Sequence, residues 1–228
     1  MRTSKAQDCL GVYEEGPLRD VTGPTIRPGG LKLTDRAIGL CGFDAGKQLL
    51  DVGCGAGATV EHLINRLGFA ARGVDISRRL IAEGLGRNPA LPLVVAAAEA
   101  LPFAGKTQDG ILCECVLSLL SEPLRALAEF HRVLRSGGRL ILSDMYSREV
   151  AVEARFESNP RGAVARRQVE SWLSESGFTT LLWEDHTPHL RELAARLILA
   201  HGSLEGICCA ASGTGQRPGY YLLVAGKE

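Results

Sequence analysis

A glycine-rich run preceded by one acidic residue and followed by another is the segment best suited to chemistry. The run Asp51 to Gly57 reads DVGCGAG, and Asp75 lies 24 positions after Asp51 (75 minus 51). Glycines let a chain turn sharply from a strand into a helix and let its backbone approach a ligand closely. The run therefore predicts a site for a nucleotide-like cofactor at the start of a helix.

The glycine spacing alone does not separate two classes of cofactor, since Gly53, Gly55 and Ala58 also fit the dinucleotide fingerprint. A carboxylate at Asp51, two residues before the first glycine, would repel a pyrophosphate and attract the ammonium group of S-adenosylmethionine. The charge of Asp51 therefore favours the sulfonium cofactor. Asp75 is placed to accept hydrogen bonds from ribose hydroxyls in either class. As an alternative, the two acids are only a turn residue and a helix cap.

Apolar segments of strand length alternate with amphipathic segments and must position these residues. This alternation predicts an α/β, Rossmann-like, mostly parallel sheet with helices on both faces. Helices are predicted after the glycine turn, after caps at Thr34 and Ser77, and over 122–134, 168–176 and 190–199; strands are predicted over 48–52, 70–76, 93–97, 110–116, 139–143, 179–183 and, antiparallel at the sheet edge, 220–225. Residues 1–30, rich in Gly and Pro, predict an irregular arm, and 31–228 a single domain.

Several motifs in order resemble the class I S-adenosylmethionine-dependent methyltransferases, of the type 11-like group, over roughly residues 31–184. The run at 51–57 is similar to their first motif, 98–103 to the segment that lines the adenine, and 134–140 to their Leu-Lys-Pro-Gly-Gly turn. The resemblance implies a seven-stranded sheet with an antiparallel last strand, and S-adenosyl-L-methionine as the cofactor. Ala97 departs from it, because many members carry an Asp there that binds the adenine amino group.

The resemblance and the chemistry together imply which residues meet each part of the cofactor. Asp51 is expected at the methionine ammonium group, Asp75 at the ribose and Glu99 at the adenine edge. Glu114 and Cys115 are expected beside the methionine. The full set predicted to bind the cofactor is Arg27, Asp51, Gly53, Cys54, Gly55, Asp75, Ile76, Ala98, Glu99, Glu114 and Cys115.

The N-terminal arm supplies one member of that set. Together with residues 114–120, its segment 22–34 resembles a subgroup of uncharacterised bacterial methyltransferases. We expect the arm to fold over the cofactor, with Arg27 pairing with the methionine carboxylate and Tyr13 covering the site. The alternative is a surface tail with a lone salt bridge.

Cys115 ends the fourth predicted strand, and the run 114–148 resembles arsenite methyltransferases, in which a cysteine at this position binds the metalloid. Soft thiolates suit such an electrophile. The further ligand cysteine of those enzymes has no match near Asn159, so Cys208 and Cys209 are the candidate replacements. Packing thiols and a zinc site remain the other interpretations.

Methyl transfer to a small-molecule acceptor is the leading functional hypothesis, and positioning rather than a protein base would supply most of the catalysis. Cys115, Tyr146 and His186 are the candidates for a catalytic role. Two hypotheses from other classes stay open. One is an NAD-dependent oxidoreductase, and the other is a non-catalytic cofactor-binding module.

Composition excludes several kinds of partner. The 228 residues carry 26 basic and 26 acidic side chains, so no net charge draws the chain to nucleic acid or anionic lipid. No apolar run approaches the ~20 residues of a membrane span, and no signal peptide is apparent. We therefore expect a cytoplasmic monomer or homodimer that binds no nucleic acid, membrane or metal. The seven cysteines are expected to be reduced thiols.

Overall fold

The computed structural model describes residues 11–148, 164–203 and 218–228. Its helices are α1 Pro17–Thr22, α2 Gly30–Cys41, α3 Ala58–Asn65, α4 Arg78–Arg87, α5 Pro123–Val133, α6 Arg166–Glu175 and α7 Thr187–His201, with 3-10 turns at Gly23–Thr25 and Leu117–Leu119. Its strands are β1 Gln48–Val52, β2 Ala70–Asp75, β3 Leu93–Val95, β4 Gln108–Glu114, β5 Leu134–Ser147, β6 Val164–Ala165, β7 Phe178–Asp185 and β8 Pro218–Lys227.

These strands form one sheet in the order β3-β2-β1-β4-β5-β8-β7, with the short β6 paired to β5 off this path. Strands β1 to β5 pair in parallel, whereas β8 is antiparallel to both β5 and β7. The predicted α/β fold with an antiparallel last strand is confirmed. The place of that strand was predicted wrongly, because β8 lies one position in from the edge and β7 forms the edge. The near-complete burial of β8 agrees with an internal position.

Helices cover both faces of the sheet, which explains the continuous apolar character of its strands. Along β5, Leu140 and Leu142 pack with α5 and α6, while Ile141 packs on the opposite face with α2 and α3. No helix among the described residues is long and apolar enough to cross a bilayer.

Helix α2 begins earlier than the sequence indicates. Thr34 does not cap it, since the helix starts at Gly30 and Gly29 occupies the cap position with a φ of 77°. Thr34 lies within the helix, and its side chain is buried. Its hydroxyl donates a hydrogen bond to the Glu114 carboxylate and accepts one from the Arg27 guanidinium. A tertiary contact therefore uses the hydroxyl that the local pattern assigned to a cap.

Strand β5 also begins before its predicted start at 139. Leu134 pairs with Gln108 and Arg139 with Gly110, so residues 135–138 form a bulge in the ladder. Gly137, with a φ of 74°, lies in this bulge. The glycine pair of the 134–140 motif thus lies within the strand.

The described part of the arm is more ordered than predicted. Residues 11–14 are helical, and α1 follows with a proline in its first turn. Leu18 and Ile26 pack against Leu193 and Leu197 of α7. Apolar burial therefore docks the arm on the domain, while the division of the chain at residue 30 stays a prediction.

Candidate functional site

A cavity opens at the carboxyl ends of β1, β2 and β4, the position where open α/β sheets bind ligands. The eleven residues predicted to bind the cofactor all line it. The fold brings these residues together from five separate segments of the chain: the arm at Arg27, and the segments 51–55, 75–76, 98–99 and 114–115. Their individual roles remain predictions.

The glycine turn forms the floor of the cavity. Backbone N–H groups of Gly53 and Cys54 donate to the Val74 carbonyl at 2.8 and 3.0 Å, which ties the turn to β2. Gly53 has a φ of 79°, and a Cβ there would lie 2.1 Å from a Val116 methyl carbon. Both the backbone conformation and the close approach of Val116 require glycine here.

Asp75 connects the turn to the start of α4. One carboxylate oxygen accepts from the Gly55 N–H at 2.8 Å and the other from the Ser77 N–H at 2.8 Å. The Ser77 hydroxyl then caps α4 by accepting from Leu80, as predicted. Burial raises the pKa of Asp75, while these two backbone bonds oppose the rise. Each oxygen still has a lone pair for a ligand hydroxyl.

Arg27 is buried in the cavity wall and belongs to no surface tail. Its guanidinium forms an ion pair of 2.8 Å with Glu114 and donates to Thr34 at 2.6 Å, Thr59 at 3.0 Å and the Thr25 carbonyl at 3.1 Å. Its buried Nε atom has no hydrogen-bond partner within the described part of the chain. Arg27 lines the cavity, so this N–H is a candidate donor to an anionic group of a ligand.

Asp51 is only 3% exposed and faces a cavity rich in carboxylates. Burial and the neighbouring Glu114 raise its pKa to about 8, and Asp75 adds to the rise, although Arg27 opposes it. Three buried carboxylates, Asp51, Asp75 and Glu114, thus line a cavity that Arg27 also lines, and Arg27 is ion-paired with Glu114 alone among them. The excess negative charge predicts that a bound cation would be stabilised here and would return Asp51 to its ionised form.

The arm closes one side of the cavity. Tyr13, Pro24, Thr25 and Ile26 line it together with Arg27. Polar contacts hold the arm against α4. The Ser77 hydroxyl, at the cap of that helix, donates a hydrogen bond to Glu14 at 2.5 Å. In addition, two ion pairs join the arm to the helix, Arg19 with Glu83 and Glu15 with Arg79.

Cys115 stands in the cavity wall with a left-handed φ of 58°, unusual for a residue that is not glycine. Its N–H donates to the Ser143 carbonyl at 2.7 Å, and its sulfur lies 3.1 Å from the Tyr220 hydroxyl. Tyr220 in turn donates to the Ser143 hydroxyl at 3.2 Å. Burial raises the pKa of Cys115, so the thiol stays protonated near neutral pH.

The other cysteines bear on the thiol hypotheses. Cys54 also lines the cavity, and burial raises its pKa as well. Cys41, Cys54, Cys113 and Cys115 form no disulfide with one another within the described part of the chain. Cys208 and Cys209 lie outside the described residues, as does Asn159. Among the described residues, no group of three or more metal-ligating side chains is suited to a metal ion.

Tyr146 and His186 are not among the residues that line the cavity. Tyr146 packs edge to face on Trp183, with ring centroids 5.4 Å apart. His186 lies 2.9 Å from Glu184 and donates its backbone N–H to Tyr220. Their positions lend no support to a catalytic role for either residue.

Part of the cavity wall lies outside the set of residues predicted to bind the cofactor. Thr59 and the segment after β4, with Val116, Leu119, Leu120 and Ser121, line the cavity beside that set. Residues 114–120 end and follow a parallel strand, so the sequence already indicates them as a source of substrate contacts. Thr59 and Ser121 carry no such signal, and only their place in the fold reveals them.

Comparison with known proteins agrees with this geometry. Residues 50–142 match the family described as "Methyltransferase domain". Demethylmenaquinone methyltransferase from Renibacterium salmoninarum is 30% identical over 129 residues, which cover 56% of this chain and 54% of that protein. Over this region the chain is similar to the class I S-adenosylmethionine-dependent methyltransferases. It spans about half the length of the first curated relatives it matches, 51% and 54% of them.

Solved structures share the fold over nearly the whole chain. The [4+2]-cyclase SpnF superposes with a TM-score of 0.73 at 22% identity, covering 97% of this chain and 93% of its own. Geranyl diphosphate C-methyltransferase from Streptomyces coelicolor A3(2) has a TM-score of 0.74 at 16% identity, covering 99% and 98%. These matches establish a shared architecture, and the family's cofactor is S-adenosylmethionine.

Proposed function

We propose that this protein transfers the sulfonium methyl group of S-adenosylmethionine in line to a small-molecule acceptor. The charge of the cavity carries the proposal. Three buried carboxylates and one guanidinium border a glycine turn. A dinucleotide would bring its anionic pyrophosphate toward Asp51, whereas the methionine end of S-adenosylmethionine offers an ammonium group to a carboxylate and a carboxylate to Arg27.

The residues present fit that cofactor. Asp51 would hold the ammonium group, and the unpartnered Nε of Arg27 would donate to the carboxylate. Asp75 would accept from the ribose hydroxyls with its remaining lone pairs. Ala98 and Glu99 line the cavity where the adenine edge is expected. Because this chain has Ala97 in place of the Asp that binds the adenine amino group in many methyltransferases, Glu99 is the candidate for that hydrogen bond.

When bound, S-adenosylmethionine would supply both the methyl group and a leaving group that departs as a neutral thioether, so the protein need not protonate the leaving group. The cofactor would be bound and oriented by Arg27, Asp51 and Asp75. The arm and the segment after β4 enclose the cavity and exclude water. Positioning of this kind accounts for catalysis without Tyr146 or His186.

Further parts of the proposal rest on composition. A chain with no net charge favours a small-molecule acceptor over nucleic acid or a membrane. A cytoplasmic location and a monomeric or dimeric state stay predictions.

Arsenite or thiol methylation is the second candidate, favoured by the place of Cys115 in the cavity wall. Binding of trivalent arsenic requires at least two thiolates to converge. The raised pKa values of Cys115 and Cys54 oppose this, because both thiols are protonated near neutral pH.

Titration calorimetry with S-adenosylhomocysteine tests the cofactor assignment, and fluorescence titration with NADH is the control. We expect heat with the first and no binding of the second. The reverse result would replace the methyltransferase with an oxidoreductase. Labelled S-adenosylmethionine incubated with cell extract tests turnover, and binding without any transfer of label would leave a non-catalytic module. Mass spectrometry of the labelled products would identify the acceptor.

A further inference from the structure

The segment 115–121, which we name the β4 loop, divides into residues that face the cavity and residues that hold the loop in place. Five of its seven residues line the cavity: Cys115, Val116, Leu119, Leu120 and Ser121. The other two point elsewhere. Leu117 is buried in the core, and Ser118 binds Asp144 of β5. The loop therefore has two anchors, one apolar and one polar.

The polar anchor is a buried carboxylate used almost entirely for this loop. Asp144 is 2% exposed, and it accepts from the Ser118 N–H at 2.8 Å and from the Ser118 hydroxyl at 2.8 Å. Its third bond comes from the Met145 N–H at 2.7 Å. None of these three donors carries a charge. Burial of a carboxylate costs free energy of folding when only neutral donors stabilise it. A contribution to stability is therefore a poor explanation for an aspartate at position 144.

The conformation held by this anchor is demanding. Cys115 has a left-handed φ of 58°, and Val116 packs so closely on Gly53 that a Cβ there would lie 2.1 Å away. A backbone with such constraints persists only where its surroundings hold it. A shift of the β4 loop would move the cavity wall relative to the glycine turn.

We propose that Asp144 is a positioning residue that, by binding both donor groups of Ser118, holds the β4 loop against the glycine turn and so preforms the cofactor cavity. This inference rests on the proposed function, because it assigns the wall to cofactor binding. Asp144 itself does not line the cavity. Its effect is therefore expected in cofactor affinity and loop exchange, through Ser118.

Two variants break the anchor, and matched variants serve as controls. Ser118→Ala removes the hydroxyl bond, whereas Ser118→Thr retains a hydroxyl. Asp144→Ala removes the acceptor of both bonds. Ser171→Ala deletes a serine–carboxylate bond on the exposed face of α6. Asp109→Ala deletes a carboxylate at the opposite end of β4, where it accepts a hydrogen bond from the backbone N–H of Gln48.

The measurements are the Kd for S-adenosylhomocysteine by calorimetry, hydrogen exchange of peptides that contain 115–121, and thermal unfolding to choose a temperature at which every variant is folded. We expect Ser118→Ala and Asp144→Ala to raise the Kd by about tenfold, with faster exchange in the β4 loop. Ser118→Thr should restore both values, and the two control variants should match the parent.

An unchanged Kd in folded Ser118→Ala would overturn the proposal, and so would an equal loss in Ser171→Ala or Asp109→Ala. If Asp144→Ala does not fold, Ser118→Ala and its rescue by Ser118→Thr still decide. Failure of the parent protein to bind S-adenosylhomocysteine would instead refute the proposed function, which separates the two failures.

Discussion

Asp51→Asn should make the protein more stable and at the same time weaker in binding its cofactor. The carboxylate is buried beside Glu114, which together with burial raises its pKa from 3.8 to about 8. The uncharged form is therefore favoured in the folded state. Asparagine has nearly the same shape and no charge, so it removes the cost of burying a carboxylate.

The effect depends on pH in a defined direction. A raised folded-state pKa means that the contribution of Asp51 to stability is fully present below 3.8 and is lost as the pH rises towards 8. For each pH unit of increase in that window, the free energy of unfolding of the parent falls by up to about 1.4 kcal/mol relative to that of Asp51→Asn. Between pH 4 and 7 the difference in unfolding free energy therefore reaches at most about 4 kcal/mol. Even about 1 kcal/mol would raise the Tm by roughly 2–4 °C in a chain of this size.

Thermal unfolding of both proteins from pH 4 to 8, without cofactor, measures this difference. Asp44→Asn, an exposed aspartate before β1, is the matched control and should show no trend. Calorimetry at pH 7 should show a Kd for S-adenosylhomocysteine raised about tenfold or more in Asp51→Asn, because a carboxylate–ammonium contact is lost. A stability difference that does not change with pH, or an unaltered Kd, would refute the assignment of Asp51.

Four other predictions concern single residues of the site. Asp75→Ala should weaken binding of S-adenosylhomocysteine by at least about 1.4 kcal/mol, a factor of ten, and calorimetry showing equal affinity would remove Asp75 from the site. Gly53→Ala should lower the free energy of unfolding in urea by about 1–3 kcal/mol, since its φ of 79° and close packing exclude a Cβ; an unchanged midpoint would contradict the observed turn. Arg27→Met should cost about 3 kcal/mol by leaving the Glu114 carboxylate buried without its cation, and adding Glu114→Gln should recover much of that loss, which a double-mutant cycle measures. If the metalloid hypothesis holds, phenylarsine oxide should bind the parent and not Cys115→Ser, whereas equal binding of the two proteins would make Cys115 a packing residue.

Local chemistry determined much of the fold from the sequence alone. The run from β1 through the glycine turn to α3 was predictable because an apolar strand, glycines at positive φ and a 3.6-residue apolar period are all short-range features. Ser77 was predictable as a cap for the same reason. Motif order added the identity of the cofactor, through a family resemblance rather than through periodicity.

Only the tertiary structure decided which side chains meet across the sheet. Thr34 reads locally as a helix cap, yet its hydroxyl binds Glu114, 80 positions away. The Cys115 sulfur contacts Tyr220 across 105 positions, and Asp144 accepts hydrogen bonds from Ser118 across 26 positions. The place of β8 between β5 and β7 was likewise beyond local pattern. Such contacts depend on the order of the strands and on which side chains are buried. Both are set by the energy of the whole fold, so no single stretch of residues carries a signal for them.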